Sequence, residues 1–167
     1  SIRRSERGVV GMIVKDAKVP ATNPVVIYKE KDIPQDLSDA NKEQIKLALI
    51  GNDTAPSKIV VYVLDSKAET YETALKYFEI KKVTWLCCPT AKADAQTETV
   101  ATWVKDQRSE RNKVKAVLPE TTADDEGIVN YATKTVKVGE KEYTAESFCS
   151  RITGLLAGTS NKSSVTY

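Results

Sequence analysis

Two adjacent cysteines, Cys87 and Cys88, stand immediately before Pro89 and Thr90 at the end of an apolar run. A cysteine thiolate is a strong nucleophile, but it needs a nearby base or a depressed pKa. The sequence contains no histidine, so no imidazole of this chain can serve as that base. The same absence excludes Ser/His/Asp catalysis and histidine-ligated zinc within the chain. The alternative interpretation is that both cysteines are small buried residues that finish a strand.

The only acidic cluster is formed by Asp124, Asp125 and Glu126, just before Gly127. Carboxylates in such a loop could hold Mg²⁺ or Ca²⁺. Their spacing matches no EF-hand pattern, however, and consecutive acidic residues usually form a solvated turn. No glycine-rich phosphate-binding loop occurs either. The sequence therefore predicts no catalytic residue, no metal site and no bound cofactor.

Arg3, Arg4 and Arg7 make the start of the chain basic. Contact with nucleic acid would favour aromatic side chains interleaved with the charges, and none is present there. Over the 167 residues, 25 Lys and Arg balance 23 Asp and Glu, which leaves a net charge of +2. That balance gives no electrostatic reason to expect nucleic acid or an anionic membrane as a partner. A solvated chain end, or a contact with a partner subunit, is the favoured interpretation of the three arginines.

The positions of these residues depend on the elements around them. Apolar, β-branched runs predict strands at residues 8–14, 25–28, 58–64, 83–88 and 114–118. Helical spacing predicts four helices. The first spans 37–50, and the second follows a capping box formed by Ser66 and Glu69. The third spans 94–111, and the last runs from a Thr144 cap to Gly158. The last helix carries a predicted apolar stripe, formed by Ala145, Phe148, Cys149, Ile152, Leu155 and Leu156. Shorter strands at 127–131, 135–138 and 141–143 predict a β-hairpin around residues 139–140.

Alternating strands and helices predict an α/β fold with a mostly parallel central sheet and helices packed on it. A chain of 167 residues is long enough for one such domain with its own core. Ligands of open α/β sheets bind beyond the carboxyl ends of the strands. The loops from Cys87 to Thr90 and from Glu120 to Glu126 are therefore where a small α/β enzyme or ligand-binding domain would hold its site.

Eight segments carry a likeness to a known family: RGVVGM at 7–12, KIVVYV at 58–63, WVKDQR at 103–108, KAVLP at 115–119, DEGIVN at 125–130, YTAE at 143–146, RITGLLAG at 151–158 and SSVTY at 163–167. In the same order along the chain, they resemble segments of contractile tail sheath proteins of bacteriophages and phage-like bacteriocins. The closest likeness is to the branch found in prophages and tail-like particles of Gram-positive bacteria. The chain departs from the family pattern at Leu64, where arginine is usual, and at Thr153, where alanine is usual.

The resemblance implies a subtilisin-like α/β fold without a working protease site, and a mechanical role in place of enzymatic activity. It implies hexameric rings of sheath subunits stacked around an inner tail tube above a baseplate, in the tail of a virion or phage-like particle assembled in the bacterial cytoplasm. Contraction of the sheath would drive the tube through the target envelope. Residues 1–167 would form one domain of a longer subunit, lacking its N-terminal arm and C-terminal domain.

In that context, we expect Arg3, Arg4, Arg7, Thr166 and Tyr167, near the two ends of the chain, to contact neighbouring subunits. Two alternatives stay open from the sequence. One is the small α/β enzyme or ligand-binding domain described above, and the other is the sheath of a cell-puncturing injection system. A deep pocket at the strand ends, lined by carboxylates with perturbed pKa values, would favour the first alternative.

Overall fold

Strands and helices alternate along the chain in the computed structural model, which describes residues 7–51, 53–119, 126–131, 135–138 and 141–159. The strands are β1 (Val9–Asp16), β2 (Val25–Ile27), β3 (Lys58–Asp65), β4 (Trp85–Cys87), β5 (Lys115–Pro119), β6 (Ile128–Tyr131), β7 (Thr135–Val138) and β8 (Lys141–Thr144). The helices are α1 (Asp39–Ile50), α2 (Glu72–Ile80), α3 (Thr97–Ser109) and α4 (Ala145–Gly158), with a short 3-10 turn at Glu30–Asp32.

Six of the strands form one sheet in the order β2-β3-β1-β4-β5-β6. All neighbours in this sheet run parallel except β2, which pairs antiparallel with β3 at one edge. The remaining strands, β7 and β8, pair with each other as an antiparallel hairpin. The predicted fold class, a mostly parallel sheet with packed helices and a short hairpin, is confirmed.

Helices cover both faces of the sheet and enclose a separate core on each. Side chains from α2 and α3 pack on one face, and side chains from α1 and α4 pack on the other. Successive residues of β1 alternate between the two cores, with Ile13 in the first and Met12 and Val14 in the second. This alternation is the period of two that every strand imposes on its side chains. Apolar runs without alternation, such as those at β1 and β3, are typical of strands covered on both faces.

Helix α1 begins and ends close to the residues that the sequence indicates. The Ser38 hydroxyl accepts a hydrogen bond from the backbone N–H of Asn41 (3.2 Å) and caps the first turn. Gly51 ends the helix with φ at +66°, in the left-handed region that glycine adopts without steric cost. A Cβ at this position would also lie 2.2 Å from the carbonyl oxygen of Thr54. Both the backbone conformation and the close approach therefore require glycine here.

The capping-box prediction for the second helix is wrong. Ser66 and Glu69 fit the pattern, yet α2 begins only at Glu72. The backbone N–H of Ser66 instead donates to the carbonyl oxygen of Asp16 (3.0 Å). The carboxylate of Asp65 accepts the backbone N–H two residues further along (2.8 Å). These bonds form a turn at the end of β3 and occupy the Ser66 N–H, which the Glu69 side chain would accept in a capping box.

Helix α3 is shorter than the predicted span of 94–111. Left-handed backbone at Ala95 (φ 56°) and Arg111 (φ 70°) lies just outside its two ends. The buried face contains Val100, Trp103, Val104 and Gln107, the residues whose helical spacing predicts that face, and it also includes Ala101. The periodicity therefore identified the element and its face, while local turns set its limits.

The buried face of α4 differs from the predicted apolar stripe. Its most deeply buried residues are Cys149, Ser150, Thr153 and Ala157, of which only Cys149 belongs to the stripe. Ile152 and Leu156 pack against the core only at its margin. Small residues face inward because α4 lies very close to α1, where larger side chains have no room.

Candidate functional site at the carboxyl edge of the sheet

β1 and β4 are neighbouring parallel strands with Met12 opposite Cys87, so β1 extends four residues beyond the end of β4. Asp16 ends β1, and Cys87 ends β4. The loop that follows β4 adds Thr90 and Asp94 to the same region. A ligand of an open α/β sheet would bind at this edge. The contacts of these side chains therefore decide whether they are available to bind a ligand or to take part in a reaction.

The two adjacent cysteines lie in opposite cores. Cys87 packs in the core formed with α1 and α4, and Cys88 packs in the core formed with α2 and α3. Both side chains are 0% exposed. In this closed arrangement of the helices, a substrate arriving from solvent would reach neither thiol. The structure agrees with the interpretation of both residues as small buried side chains.

Burial raises the pKa of Cys88 well above its usual range, and the neighbouring Cys87 and Asp94 act in the same direction. The thiolate is the nucleophilic form of cysteine, so a raised pKa leaves Cys88 as an unreactive thiol at neutral pH. Cys88 therefore lacks both the access and the ionisation that a nucleophile requires.

Cys87 lies among polar groups of α4. Its Sγ atom is 3.8 Å from the Sγ atom of Cys149 and 3.7 Å from the hydroxyl oxygen of Ser150. Hydrogen bonding from Cys149 lowers the pKa of the Cys87 thiol against the opposing influence of burial. The two neighbouring cysteines therefore have pKa values that depart from the ordinary value in opposite directions.

A buried set of hydrogen bonds continues from this point into α1 and β5. The Ser150 hydroxyl donates to Gln44 Oε1 (2.6 Å), and the Thr153 hydroxyl donates to the backbone oxygen of Cys149 (2.6 Å). The one hydrogen of the Cys149 thiol is shared between the backbone oxygen of Val117 (3.1 Å) and the Cys87 sulfur (3.8 Å). Buried polar groups are costly unless they are partnered, so these bonds permit a polar inner face on α4.

On the other face of the sheet, the side chain of Asp94 contacts three residues. Tyr71 donates its hydroxyl hydrogen to Asp94, Thr90 donates to the same carboxylate (2.8 Å), and Lys15 Nζ lies 3.8 Å from its other oxygen. Burial first, together with the Cys88 and Asp94 side chains, raises the pKa of Tyr71 above its ordinary value. These contacts connect the β4–α3 loop to β1 and to the start of α2.

Asp16 is the most connected residue at the end of β1. Its carboxylate accepts hydrogen bonds from the backbone N–H groups of Ser38 (2.8 Å) and Lys18 (3.0 Å) and from the Asn41 amide (2.9 Å). Burial alone would raise the pKa of Asp16, but these hydrogen bonds outweigh it and lower the pKa. The carboxylate therefore holds the entry to α1 in place.

The described parts of the chain bring together no group of three or more residues of the metal-ligating types. Of the acidic cluster, Asp124 and Asp125 lie outside the described residues, as does the rest of the loop from Glu120, and Glu126 is exposed. No helix in those described segments is both long and apolar enough to span a membrane.

Among the terminal residues, Arg7 is described, and its guanidinium donates to the backbone oxygen of Ala55 (2.8 Å). Arg3, Arg4, Thr166 and Tyr167 lie outside the described residues. Their role in subunit contacts stays a prediction.

Two shallow clefts lie along α1 and the 3-10 turn, away from the ends of β1 and β4. One has a volume of about 390 Å³ and is lined by Glu30, Lys31, Ile33, Gln35, Lys42 and Lys46. The second has a volume of about 290 Å³ and is lined by Tyr28, Lys29, Glu30, Lys46, Leu49, Ile50 and Ala55. Neither cleft includes a residue from Cys87 to Thr90, so these clefts do not supply the deep strand-end pocket that the enzyme alternative would require.

Sequence reasoning did not identify Asp16, Tyr71 or Asp94 as interacting residues, nor Cys149 as a neighbour of Cys87. A local signal existed only for Asp16, which ends an apolar strand. Cys87 and Cys149 are 62 positions apart, and their contact depends on how α4 returns to the sheet. No spacing rule connects residues at such a distance.

The fold and the edge of the sheet together define a three-layer α/β domain whose strand ends are tied by internal contacts. Comparison with known proteins identifies its family. Residues 65–167 match the family described as phage tail sheath protein, central domain. Over 99% of its length, the chain is 35% identical to the tail sheath protein of Clostridium phage phiCD119. The chain belongs to the phage tail sheath protein family, a family of structural proteins, and the prediction that it is not an enzyme is confirmed.

A solved structure has the same fold. The crystal structure of the sheath tail protein from Desulfitobacterium hafniense superposes with a TM-score of 0.73 at 16% identity and covers 95% of this chain. The chain spans 47% of the length of the Clostridium phage relative and 60% of the solved sheath chain.

Proposed function

We propose that this chain is a structural unit of a contractile sheath, which surrounds an inner tail tube and drives it through the target cell envelope on contraction. Membership of the tail sheath family, through the match over residues 65–167, carries this proposal. The partners are neighbouring sheath subunits, the tube protein and the baseplate. The location is the tail of a virion or phage-like particle.

The internal packing supports a role as a rigid body. Each face of the sheet has its own core, and α4 is bonded to α1 through Ser150 and Gln44. Arg151 adds a second link, since its guanidinium donates to the backbone oxygen of Gly51 (2.6 Å). A densely packed domain resists internal deformation, so a change of lattice would rotate it as a unit. In this proposal the free energy of contraction comes from contacts between subunits.

The proposed subunit contacts are made by the terminal residues Arg3, Arg4, Arg7, Thr166 and Tyr167. Arg3 and Arg4 contribute two positive charges close together in sequence. Charges at subunit interfaces set register and partner choice more than affinity, so replacing both should disturb assembly without affecting the fold.

The test is electron microscopy of the sheath subunit that contains this chain, produced together with the tube protein of the same particle. The expected result is striated cylinders around tubes, in a long narrow form and a short wide form. Subunits that leave the tubes bare would contradict the proposed function.

The double variant Arg3→Glu/Arg4→Glu tests the terminal contacts separately. We expect fewer assembled sheaths at an unchanged unfolding temperature. Normal assembly of the double variant would contradict the proposed contacts of Arg3 and Arg4. It would not contradict the proposed sheath function.

A further inference from the structure

Cys87 and Cys149 place their sulfur atoms 3.8 Å apart inside the core that α4 covers. Both residues are 0% exposed, and neither sulfur is part of a disulfide. Cys87 lies at the end of β4, and Cys149 lies in the second turn of α4. The pair therefore spans the junction between the sheet and the last helix.

We propose that Cys87 and Cys149 form an oxidation site, at which a small peroxide converts the two thiols into a disulfide that joins β4 to α4. A disulfide requires the sulfur atoms to approach from 3.8 Å to about 2.05 Å, through side-chain rotation or a shift of α4 toward the sheet. The site is independent of the sheath function, because it depends on the fold of this domain alone.

The polar surroundings favour the chemistry at Cys87. Hydrogen bonding from Cys149 lowers the pKa of the Cys87 thiol. A thiolate is the form that attacks a peroxide. Hydrogen peroxide is close to water in size, so a limited opening of α4 admits it.

The reaction proceeds in two steps. The Cys87 sulfur attacks one peroxide oxygen, the O–O bond breaks, and the released hydroxide takes up a proton as water, leaving a sulfenic acid. The Cys149 sulfur then attacks the Cys87 sulfur and displaces the hydroxyl group as a second water. In sum, two thiols and one hydrogen peroxide give one disulfide and two waters, with the pair oxidised by two electrons and the peroxide reduced.

Cys88 provides a matched internal control. It is adjacent to Cys87 and equally buried, but it packs in the opposite core with α2 and α3. Its pKa is raised, in contrast to that of Cys87. The short distance between the sulfur atoms of Cys87 and Cys149 therefore distinguishes this pair from Cys88. Burial and position in the sequence do not.

The consequence is a covalent link across 62 positions of sequence. Closing such a loop restricts the unfolded chain, so the oxidised domain should unfold at a temperature about 5–10 °C higher. The link also prevents α4 from separating from the sheet.

The test treats the folded chain with hydrogen peroxide, blocks remaining thiols and digests it with trypsin without reduction. Mass spectrometry should find residues 83–92 linked to residues 142–151, and dithiothreitol should separate them. The link should persist in Cys88→Ala and be absent from Cys149→Ala. If Cys149→Ala does not fold, the linked peptides of Cys88→Ala identify Cys87 and Cys149 by themselves.

Three results would overturn the proposal. One is recovery of unlinked thiols at a peroxide dose that fully oxidises the unfolded chain. Another is over-oxidation of Cys87 to a sulfinic acid without any link. The third is a disulfide between Cys87 and Cys88.

Discussion

Gly154 of α4 lies directly against the backbone of Ala48 in α1. A Cβ atom at position 154 would be only 1.9 Å from the Ala48 carbonyl oxygen and 2.7 Å from its carbonyl carbon. Backbone atoms cannot move aside as the end of a flexible side chain can. The contact therefore sets how closely the two helices of this layer approach, and it explains why small residues form the inner face of α4.

Gly154→Ala should reduce the free energy of unfolding by about 3 kcal/mol, because α4 must shift away from α1 to relieve the overlap. In an unconstrained helix the same change would increase stability by about 1 kcal/mol through helix propensity. A decrease measured by urea titration would therefore report the close contact.

Gly127→Ala is the matched control. A Cβ there would approach the Arg108 side chain at 2.3 Å, and a side chain can swing aside. We expect it to cost less than half as much as Gly154→Ala. Equal losses of stability in the two variants would contradict a special role for the contact between Gly154 and Ala48.

Asp16 should make the stability of the domain sensitive to acid. Its folded-state pKa is lowered, so its stabilising effect is present above the unfolded pKa of about 4 and is lost as pH falls through the folded value. Asp16→Asn removes this charge and accepts fewer hydrogen bonds, which should cost about 2 kcal/mol at pH 7. Urea titrations between pH 7 and pH 2 should show a shallower acid dependence for the variant.

Asp36→Asn serves as the control for Asp16, because Asp36 is exposed in the loop before α1. It should leave both the stability at pH 7 and the acid dependence close to those of the unaltered chain. A parallel acid dependence in Asp16→Asn and the unaltered chain would contradict the role of Asp16.

All three thiols should resist labelling in the folded domain, since Cys87, Cys88 and Cys149 are each 0% exposed. Ellman's reagent should release almost no colour within minutes in native buffer. In guanidinium chloride it should detect three thiols per chain. Rapid labelling of one cysteine without denaturant would restore the nucleophile interpretation of the strand end.

Tyr71 should stay protonated in the folded domain at pH values where a free tyrosine ionises. Burial, together with neighbouring Cys88 and Asp94, raises its pKa, so its stabilising effect is full below the unfolded pKa of about 10 and falls as pH rises beyond it. Absorbance titrations of the folded chain and of Tyr71→Phe should coincide up to about pH 11. In denaturant, the two curves should differ by one tyrosine.

Local sequence patterns predicted which segments form strands and helices, because hydrophobic periodicity and capping residues act within a few residues of each other. Ser38 and Gly51 mark the two ends of α1, and the face of α3 is the predicted one. The pattern failed at Ser66, where a hydrogen bond to Asp16 from another strand competes with the helix cap. A pattern that considers only neighbouring residues cannot detect a contact between distant segments.

The sequence by itself determined the α/β class, the absence of imidazole chemistry and the resemblance to tail sheath proteins, since all of these depend on residue types and their order. Only the tertiary structure decided the order of the strands, the polar inner face of α4 and the meeting of Cys87 with Cys149. The physical reason is that such contacts depend on how whole elements pack. The closest approach of α4 to α1, at Gly154 and Ala48, joins residues that no spacing along the chain connects.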